Sequence, residues 1–438
     1  MEEASTSEND GVPEYVVSHL STILGSEVVE SANFVELKSA QQRVWIVDQV
    51  QKPSSKMGSG EWERALHVGR NKLVLRLWKA SSCWWNLNRC NQNQVAELAR
   101  SEVAGYRIAH RALSIHIPFV LYFSHDNNAN DKSEKDEHPW AILSYVGPDS
   151  LLFHENWQMD TTWMDGMVKT RLEFGFDEPH PRWGRVPENQ CCDYTLSILN
   201  QVTLPLHKYM QQHCTELQQD LDALRKPASN HSDGTVVGFT YSSMMALYQQ
   251  EHVKMVQTTS ATTNTGDPNL LAAIDVLGKA IHQLKTEKPR PLPMVLCHMD
   301  CQPQNIIFAQ QTDTTRANSN NHPRISSVLD WEEAALADPR FELLLLCRKV
   351  CANRTQAEQI WKAYQTESSS FELGPLAPWL ALETVHSITS LLLQSMDLLG
   401  GGRTPWETKP DLWGKIQREI KRLVLEQGWD FCNVPEFQ

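Results

Sequence analysis

The 438-residue chain has no apolar run near the ~20 residues that a bilayer-spanning helix needs; its best stretch, Leu343 to Leu346, is closed by Glu342 and Arg348. A soluble protein without a membrane partner is expected. The opening Met1-Glu2-Glu3-Ala4-Ser5 lacks the basic and apolar parts of a secretory signal and the Arg-rich character of a transit peptide, so a cytoplasmic address is expected. Positive charge is also scarce, with 40 Lys+Arg against 53 Asp+Glu and a net charge of −13. Nucleic acids and anionic membranes call for a basic face that displaces phosphate counterions, and neither is expected as a partner. Ten Cys in so long a chain are too dilute for a disulfide scaffold, and Cys297 and Cys347 sit inside apolar segments as packed, reduced thiols would. Cys297, His298 and Cys301 lack a second Cys/His pair at ligand spacing, which argues against zinc. No internal repeat is present.

The apolar content, 41% hydrophobic residues, is ordinary for a globular protein. The length exceeds the roughly 250–300 residues at which single cores stop growing, so two lobes are expected. Residues 1–12 are polar and acidic and read as a disordered tail. Pro13 opens a helical pattern (Val16, Val17, Leu20, Ile23) that Gly25 closes. Three β-branched and aromatic runs, 28–37, 43–50 and 73–78, read as an antiparallel meander, and a strand pair at 119–123 and 140–146 flanks the charged stretch 126–138. Residues 95–113 carry helical periodicity, as do 194–221, 270–284, 357–364, 375–399 and 411–427. Polar tracts at 228–234 and 258–269 read as loops. The expected class is α+β: a strand-rich lobe over 13–147 followed by a helical lobe over 148–438.

The most informative segment is Val295-Leu296-Cys297-His298-Met299-Asp300-Cys301-Gln302-Pro303-Gln304-Asn305-Ile306-Ile307-Phe308. An apolar approach leads into a polar loop and an apolar, strand-like exit. After the polar tract 310–322, a second apolar run, 325–329, delivers Asp330-Trp331-Glu332. The pattern predicts a hairpin whose base brings Asn305 beside Asp330. Phosphoryl transfer from a nucleotide needs two oxygen ligands for Mg²⁺ and a carboxylate to orient or deprotonate the acceptor hydroxyl. Here Asp300 would be the base, Asn305 and Asp330 the metal ligands, and His298 a brace for the loop. An amide with a carboxylate suits a hard cation, where zinc would want His or Cys.

These residues resemble the aminoglycoside phosphotransferase and choline kinase family of small-molecule kinases, which are built like protein kinases. The catalytic-loop pattern His-x-Asp-x-x-x-x-Asn is matched by His298, Asp300 and Asn305, and the metal motif by Leu329-Asp330-Trp331-Glu332. A third motif, Asp-Pro before an aromatic, an acidic residue and an apolar helix, is matched by Asp338-Pro339-Arg340-Phe341-Glu342-Leu343-Leu344. The resemblance implies a two-lobed kinase-like fold, ATP and Mg²⁺ as cofactors, and a small-molecule hydroxyl as acceptor, aminoglycoside-, choline- or sugar-like. It further implies a basic residue in the third strand paired with a Glu of the next helix. Arg76 and Glu102 occupy those positions, unless Lys72 or Lys79 takes the place of Arg76. The adenine hinge would fall at Ser144-Tyr145-Val146-Gly147.

Other readings stay open. The polar loop could be a turn capping its own backbone, and Arg76 with Glu102 a structural ion pair. Asp338 is expected to brace the catalytic loop. Tryptophans near 78–85 and 157–183 are core, or else a wall for a cationic acceptor. Residues 171–187, rich in Arg and acids, read as part of an acceptor-site wall or as a docked connector. Arg in the strand and a Gly-free first turn, Lys38-Ser39-Ala40-Gln41-Gln42, motivate the alternative of a catalytically degraded kinase-fold binding protein. The eight residues from Asp330 to Asp338-Pro339 leave no room for a peptide-docking segment, which disfavours a protein kinase proper. Oligomeric state is not legible.

Overall fold

The computed structural model describes residues 11–37, 42–48, 50, 60–79, 85, 87, 95–125, 138–146, 191–224, 238–261, 267–287, 289–301, 305–308, 323–349, 351, 354–368, 371–398 and 405–429. The expected tail, the turn 38–41, the boundary near 147, the segment 171–187 and Trp84, Trp157, Trp163 and Trp183 lie outside them.

The amino-terminal part is built on a five-stranded antiparallel sheet in the order β1-β2-β3-β5-β4, formed by β1 (Asn33–Leu37), β2 (Gln42–Asp48), β3 (Leu73–Trp78), β4 (Val120–Phe123) and β5 (Trp140–Ser144). The meander and strand pair are as expected, with one correction. Residues 28–31 do not open β1; they belong to a short helix, α2 (Ser26–Ser31), which follows α1 (Glu14–Leu24) across Gly25 at φ 96°. Val28 and Val29 there face the core from a helix, since burial of an apolar pair does not require a pleat.

Alternation along β3 decides the two faces of the sheet. Leu73, Leu75 and Leu77 are buried with Val16, Leu20, Trp45 and Trp140 on one side. Arg76 and Trp78 therefore emerge on the other, toward α4 (Val95–Ala112), whose Val95, Leu98, Ala99 and Val103 pack with Trp78 and Phe123. A helix that sequence periodicity left unread, α3 (Gly60–Val68), covers the first face with Trp62, Ala65 and Leu66.

The rest is mainly helical. A helix runs through Cys191–Ile198, a π segment Leu199–Thr203 and Leu204–His213, and the long helices Tyr241–Ala261, Pro268–Thr286, Ala377–Asp397 and Pro410–Gln427 enclose the main core. Tyr241–Ala261 escaped sequence analysis because the polar run Gln249-Gln250-Glu251-His252 breaks its apolar stripe. Two two-stranded pieces interrupt the helices: β6 (Val295–Cys297) with β9 (Ala335–Ala337), and β7 (Ile306–Phe308) with β8 (Ile325–Val328), both antiparallel. The second is the expected hairpin. The molecule is α+β, with an antiparallel sheet and a mainly helical remainder. Cys297, Cys301, Cys347 and Cys351 are buried thiols outside any disulfide, as the apolar context of the first and third led one to expect. Among the described residues no helix is long and apolar enough to cross a membrane.

Candidate active site

Hairpin register positions the acidic residues. Ile306 pairs with Val328, and one step outward the Leu329 N–H donates to the Asn305 carbonyl at 2.7 Å, so Asp330 begins where Asn305 ends. The Asn305 Nδ2–H₂ donates to Asp300 Oδ2 at 2.8 Å and to the Asp300 carbonyl at 3.0 Å. These bonds tie Asn305 to Asp300 and leave the amide oxygen of Asn305 for another partner. His298 spans both loops: its Nε2–H donates to the Leu329 carbonyl at 2.8 Å, and its Nδ1 accepts the Asp300 N–H at 3.3 Å. Its ring lies 4.5 Å from Trp331, which is fully buried.

Two non-glycine residues of these loops stand in the left-handed region, Met299 at φ 63° and Asp330 at φ 57°. Each costs on the order of 1 kcal/mol and persists where surrounding bonds over-determine it. At Met299 the restraint is visible: its N–H donates to Glu342 Oε2 at 2.9 Å, and Glu342 is itself buried. Glu342 therefore braces the loop that carries His298 and Asp300. Asp338, expected in that role, instead binds Arg340 through both carboxylate oxygens at 2.8 and 2.6 Å, and Arg340 ties the segment to the carbonyls of Leu373 and Arg290. The correction has a geometric cause: Asp338 follows β9, and its Oδ1 accepts the Arg340 N–H at 3.1 Å at the start of the helix Pro339–Lys349, one turn before Glu342 reaches the loop.

On the sheet side, Arg76 meets Glu102. Arg76 NH1 lies 3.0 Å from Glu102 Oε1, and the other oxygen of Glu102 accepts the Trp78 indole N–H at 2.8 Å. Trp78, one pleat along from Arg76, is a positioning partner that sequence analysis missed. Its presence on the same strand face was the available signal. Lys72 pairs with Asp48 and Lys79 is exposed, so neither replaces Arg76. Arg76 also crosses to the metal motif, with NH1 and NH2 both 3.3 Å from Asp330 Oδ1 and NH2 3.0 Å from Glu332 Oε2. Helix α4 is seated on that motif: the Ser101 hydroxyl donates to the Ala334 carbonyl at 2.9 Å, and a Cβ on Gly105 would lie 2.9 Å from that of Ala334. Tyr145, buried, and Val146 follow β5 at the end of the sheet.

Three carboxylates around one guanidinium leave an excess of two negative charges. Burial by itself would lower the Arg76 guanidinium, yet Glu102, Asp330 and Glu332 outweigh it and hold Arg76 firmly charged. Burial, then repulsion from Asp330, pushes Glu332 well above the usual carboxylate range against the pull of Arg76. The excess is relieved by a proton or by a cation. The oxygen donors of Asn305 and Asp330 with this charge fit a hard divalent ion such as Mg²⁺. Among the described residues no set of three His, Cys, Asp or Glu side chains forms a metal cluster, so the ion would share its shell with water and a ligand.

The comparisons agree with the motifs. Residues 233–379, which contain all three of them, match the family model APH, the phosphotransferase enzyme family. The chain is thus similar to the aminoglycoside phosphotransferase and choline kinase group that its loops resemble. No curated protein matches it in sequence. Among solved structures, the ADP-bound aminoglycoside phosphotransferase APH(2'')-Ib aligns over 94% of this chain and 99% of its own at 14% identity, TM-score 0.48. An ethanolamine kinase from Plasmodium vivax covers 96% and 93% at 11% identity, TM-score 0.48. The streptomycin–ATP complex of APH(2")-IIa covers 94% and 97% at 13% identity, TM-score 0.46.

Proposed function

We propose that the protein is an ATP-dependent small-molecule kinase that moves a γ-phosphoryl group to a hydroxyl of a cationic or neutral acceptor. The observation that carries this reading is the chain of hydrogen bonds from Asp300 through Asn305 to Leu329, the residue before Asp330, which supports a site built from these three side chains, Asp300, Asn305 and Asp330. In this reading Asp300 orients the acceptor hydroxyl and takes its proton late, while His298 and Glu342 keep the Asp300 loop in place. Asn305 and Asp330 would hold Mg²⁺, which when bound neutralises phosphate charge. Tyr145 and Val146 would offer backbone groups to an adenine edge. The nucleotide-binding lobe is assigned to 13–147 and the acceptor side to 148–438. A cytoplasmic location fits the reduced, buried thiols.

The test is an acceptor-library screen coupled to ADP release, with Asp300→Asn as the blank. Asp300→Asn should keep ADP-dependent thermal stabilisation and lose roughly 10²–10⁴-fold in turnover, the usual contribution of a general base. Asp330→Ala should abolish the Mg²⁺-dependent part of nucleotide binding. Full turnover in either variant would rule the reading out. A second reading, a kinase-fold binding protein without transfer, is favoured by one observation: both terminal nitrogens of Arg76 are committed to carboxylates. Absence of thermal stabilisation at millimolar Mg-ATP would select it.

A further inference from the structure

We propose that Arg76 is a tethered counter-cation that competes with the divalent ion for Asp330, so that this guanidinium sets the metal affinity of the site. The inference rests on the phosphotransferase reading above and concerns what an Arg does at this strand position that a Lys would not. A Lys ammonium is a point charge at the end of a flexible stem, whereas the planar fork of Arg serves several oxygens at once. Here NH1 divides between Glu102 and Asp330, and NH2 between Asp330 and Glu332. Arg76 Nε is buried with no hydrogen-bond partner, so the donors the side chain uses are its two terminal nitrogens, both on carboxylates.

Asp330 is the member of the cluster both nitrogens reach, and also the most open, with 35% of its side chain exposed against 0% for Glu102. It can therefore be approached by an ion from solvent. Its Oδ1, however, already accepts from two nitrogens of a cation that cannot diffuse away. A divalent ion on Asp330 must be drawn by the same carboxylate while standing within a few ångströms of the guanidinium, and the two positive charges repel. Glu102, anchored by the Trp78 indole, keeps Arg76 from swinging aside. Metal loading is thereby weakened in the free protein, and a polyphosphate that supplies further anionic oxygens shifts the balance back toward the ion.

The experiment is Mn²⁺ binding to the full chain without nucleotide, read from the electron paramagnetic resonance of free Mn²⁺, in the wild type, Arg76→Lys, Arg76→Met and Asp330→Asn. Circular dichroism checks the fold of each. Arg76→Met, which removes the charge and keeps the bulk, should bind Mn²⁺ about tenfold tighter. Arg76→Lys, which serves fewer oxygens, should bind it about threefold tighter. A site merely damaged by substitution would bind more weakly, so the direction separates competition from a structural role. Unchanged or weaker binding in Arg76→Met overturns the proposal; if that variant does not fold, the same result in Arg76→Lys does so. Asp330→Asn should abolish the binding, and wild-type affinity in it would overturn the assignment of Asp330 itself. ADP-dependent stabilisation together with untightened Mn²⁺ binding would leave the phosphotransferase reading standing and remove this one.

Discussion

Glu342 holds the His298–Asp300 loop through one charge-assisted bond to the Met299 N–H, and its other oxygen has no hydrogen-bond partner. A bond of this kind contributes about 1.5–3 kcal/mol, enough to offset the left-handed strain of Met299. Glu342→Gln keeps the shape and removes the charge. It should lower kcat about tenfold or more by loosening Asp300, with little change in KM for ATP, because Glu342 is buried and its bond goes to the Met299 N–H beside Asp300. A loss of kcat no larger than the loss of folded fraction, read by circular dichroism, would argue for general unfolding instead. Trp78 acts similarly on Glu102: Trp78→Phe leaves one oxygen of a fully buried carboxylate without its donor and should destabilise the fold by roughly 1–3 kcal/mol, measured by urea denaturation.

At the scale of elements, the seat of α4 on the 330–334 loop joins the five-stranded sheet to the two two-stranded pieces. Gly105 permits it, since a Cβ there would stand 2.9 Å from Ala334 and 3.4 Å from Trp331. Gly→Ala inside a helix ordinarily stabilises by roughly 0.5–1 kcal/mol. At Gly105 the sign should reverse, with a lowered Tm and, because Glu102 rides on the same helix, weakened nucleotide stabilisation; a raised Tm would contradict the packing. The hairpin is held from the other side by Gln201, whose amide donates to the Pro323 carbonyl at 2.9 Å and accepts the Ile325 N–H at 2.9 Å. Gln201 lies in the π segment Leu199–Thr203, where the extra residue per turn re-aims side chains, and Pro205 just beyond removes a helix donor.

For the whole molecule, stability depends on a buried cluster joining the helices Pro339–Lys349, Ala377–Asp397 and Pro410–Gln427. Arg348 pairs with Glu383 at 3.3 Å and Glu426 at 2.7 Å, and Arg422 with Glu383 at 3.1 Å and Glu419 at 2.6 Å. Three carboxylates share two guanidinia. Burial above all, against the pull of Arg422, leaves Glu419 pushed up from 4.5 to about 8. The folded state then holds a proton that the unfolded chain releases, so this contribution is complete below pH 4.5 and is lost as pH rises through about 8. Relative to Glu419→Gln, the wild type should lose urea stability between pH 5 and pH 8; parallel pH profiles would contradict the assignment.

What the sequence alone determined is local. The loop from His298 to Asn305 and the strand ending at Asp330 were legible because a hairpin brings its two base residues together through its own hydrogen-bond register, whatever surrounds it. Alternation in Leu73-Val74-Leu75-Arg76-Leu77-Trp78 likewise sufficed to put Arg76 on a face of its own. Short helices such as α2 and the strand β9 were not legible, since three to six residues carry too little periodicity to favour one state. Tertiary structure decided the partners. Arg76 reaches residues 254 and 256 positions away, and Glu342 a backbone N–H 43 positions away. Such pairings follow from how α4 and the helix after β9 pack against the hairpins, and packing is a property of surfaces that no spacing in the chain encodes. The acidic balance of the composition thus became, in the folded protein, two enclosed groups of carboxylates in excess over their guanidinium partners, one at the site and one in the core.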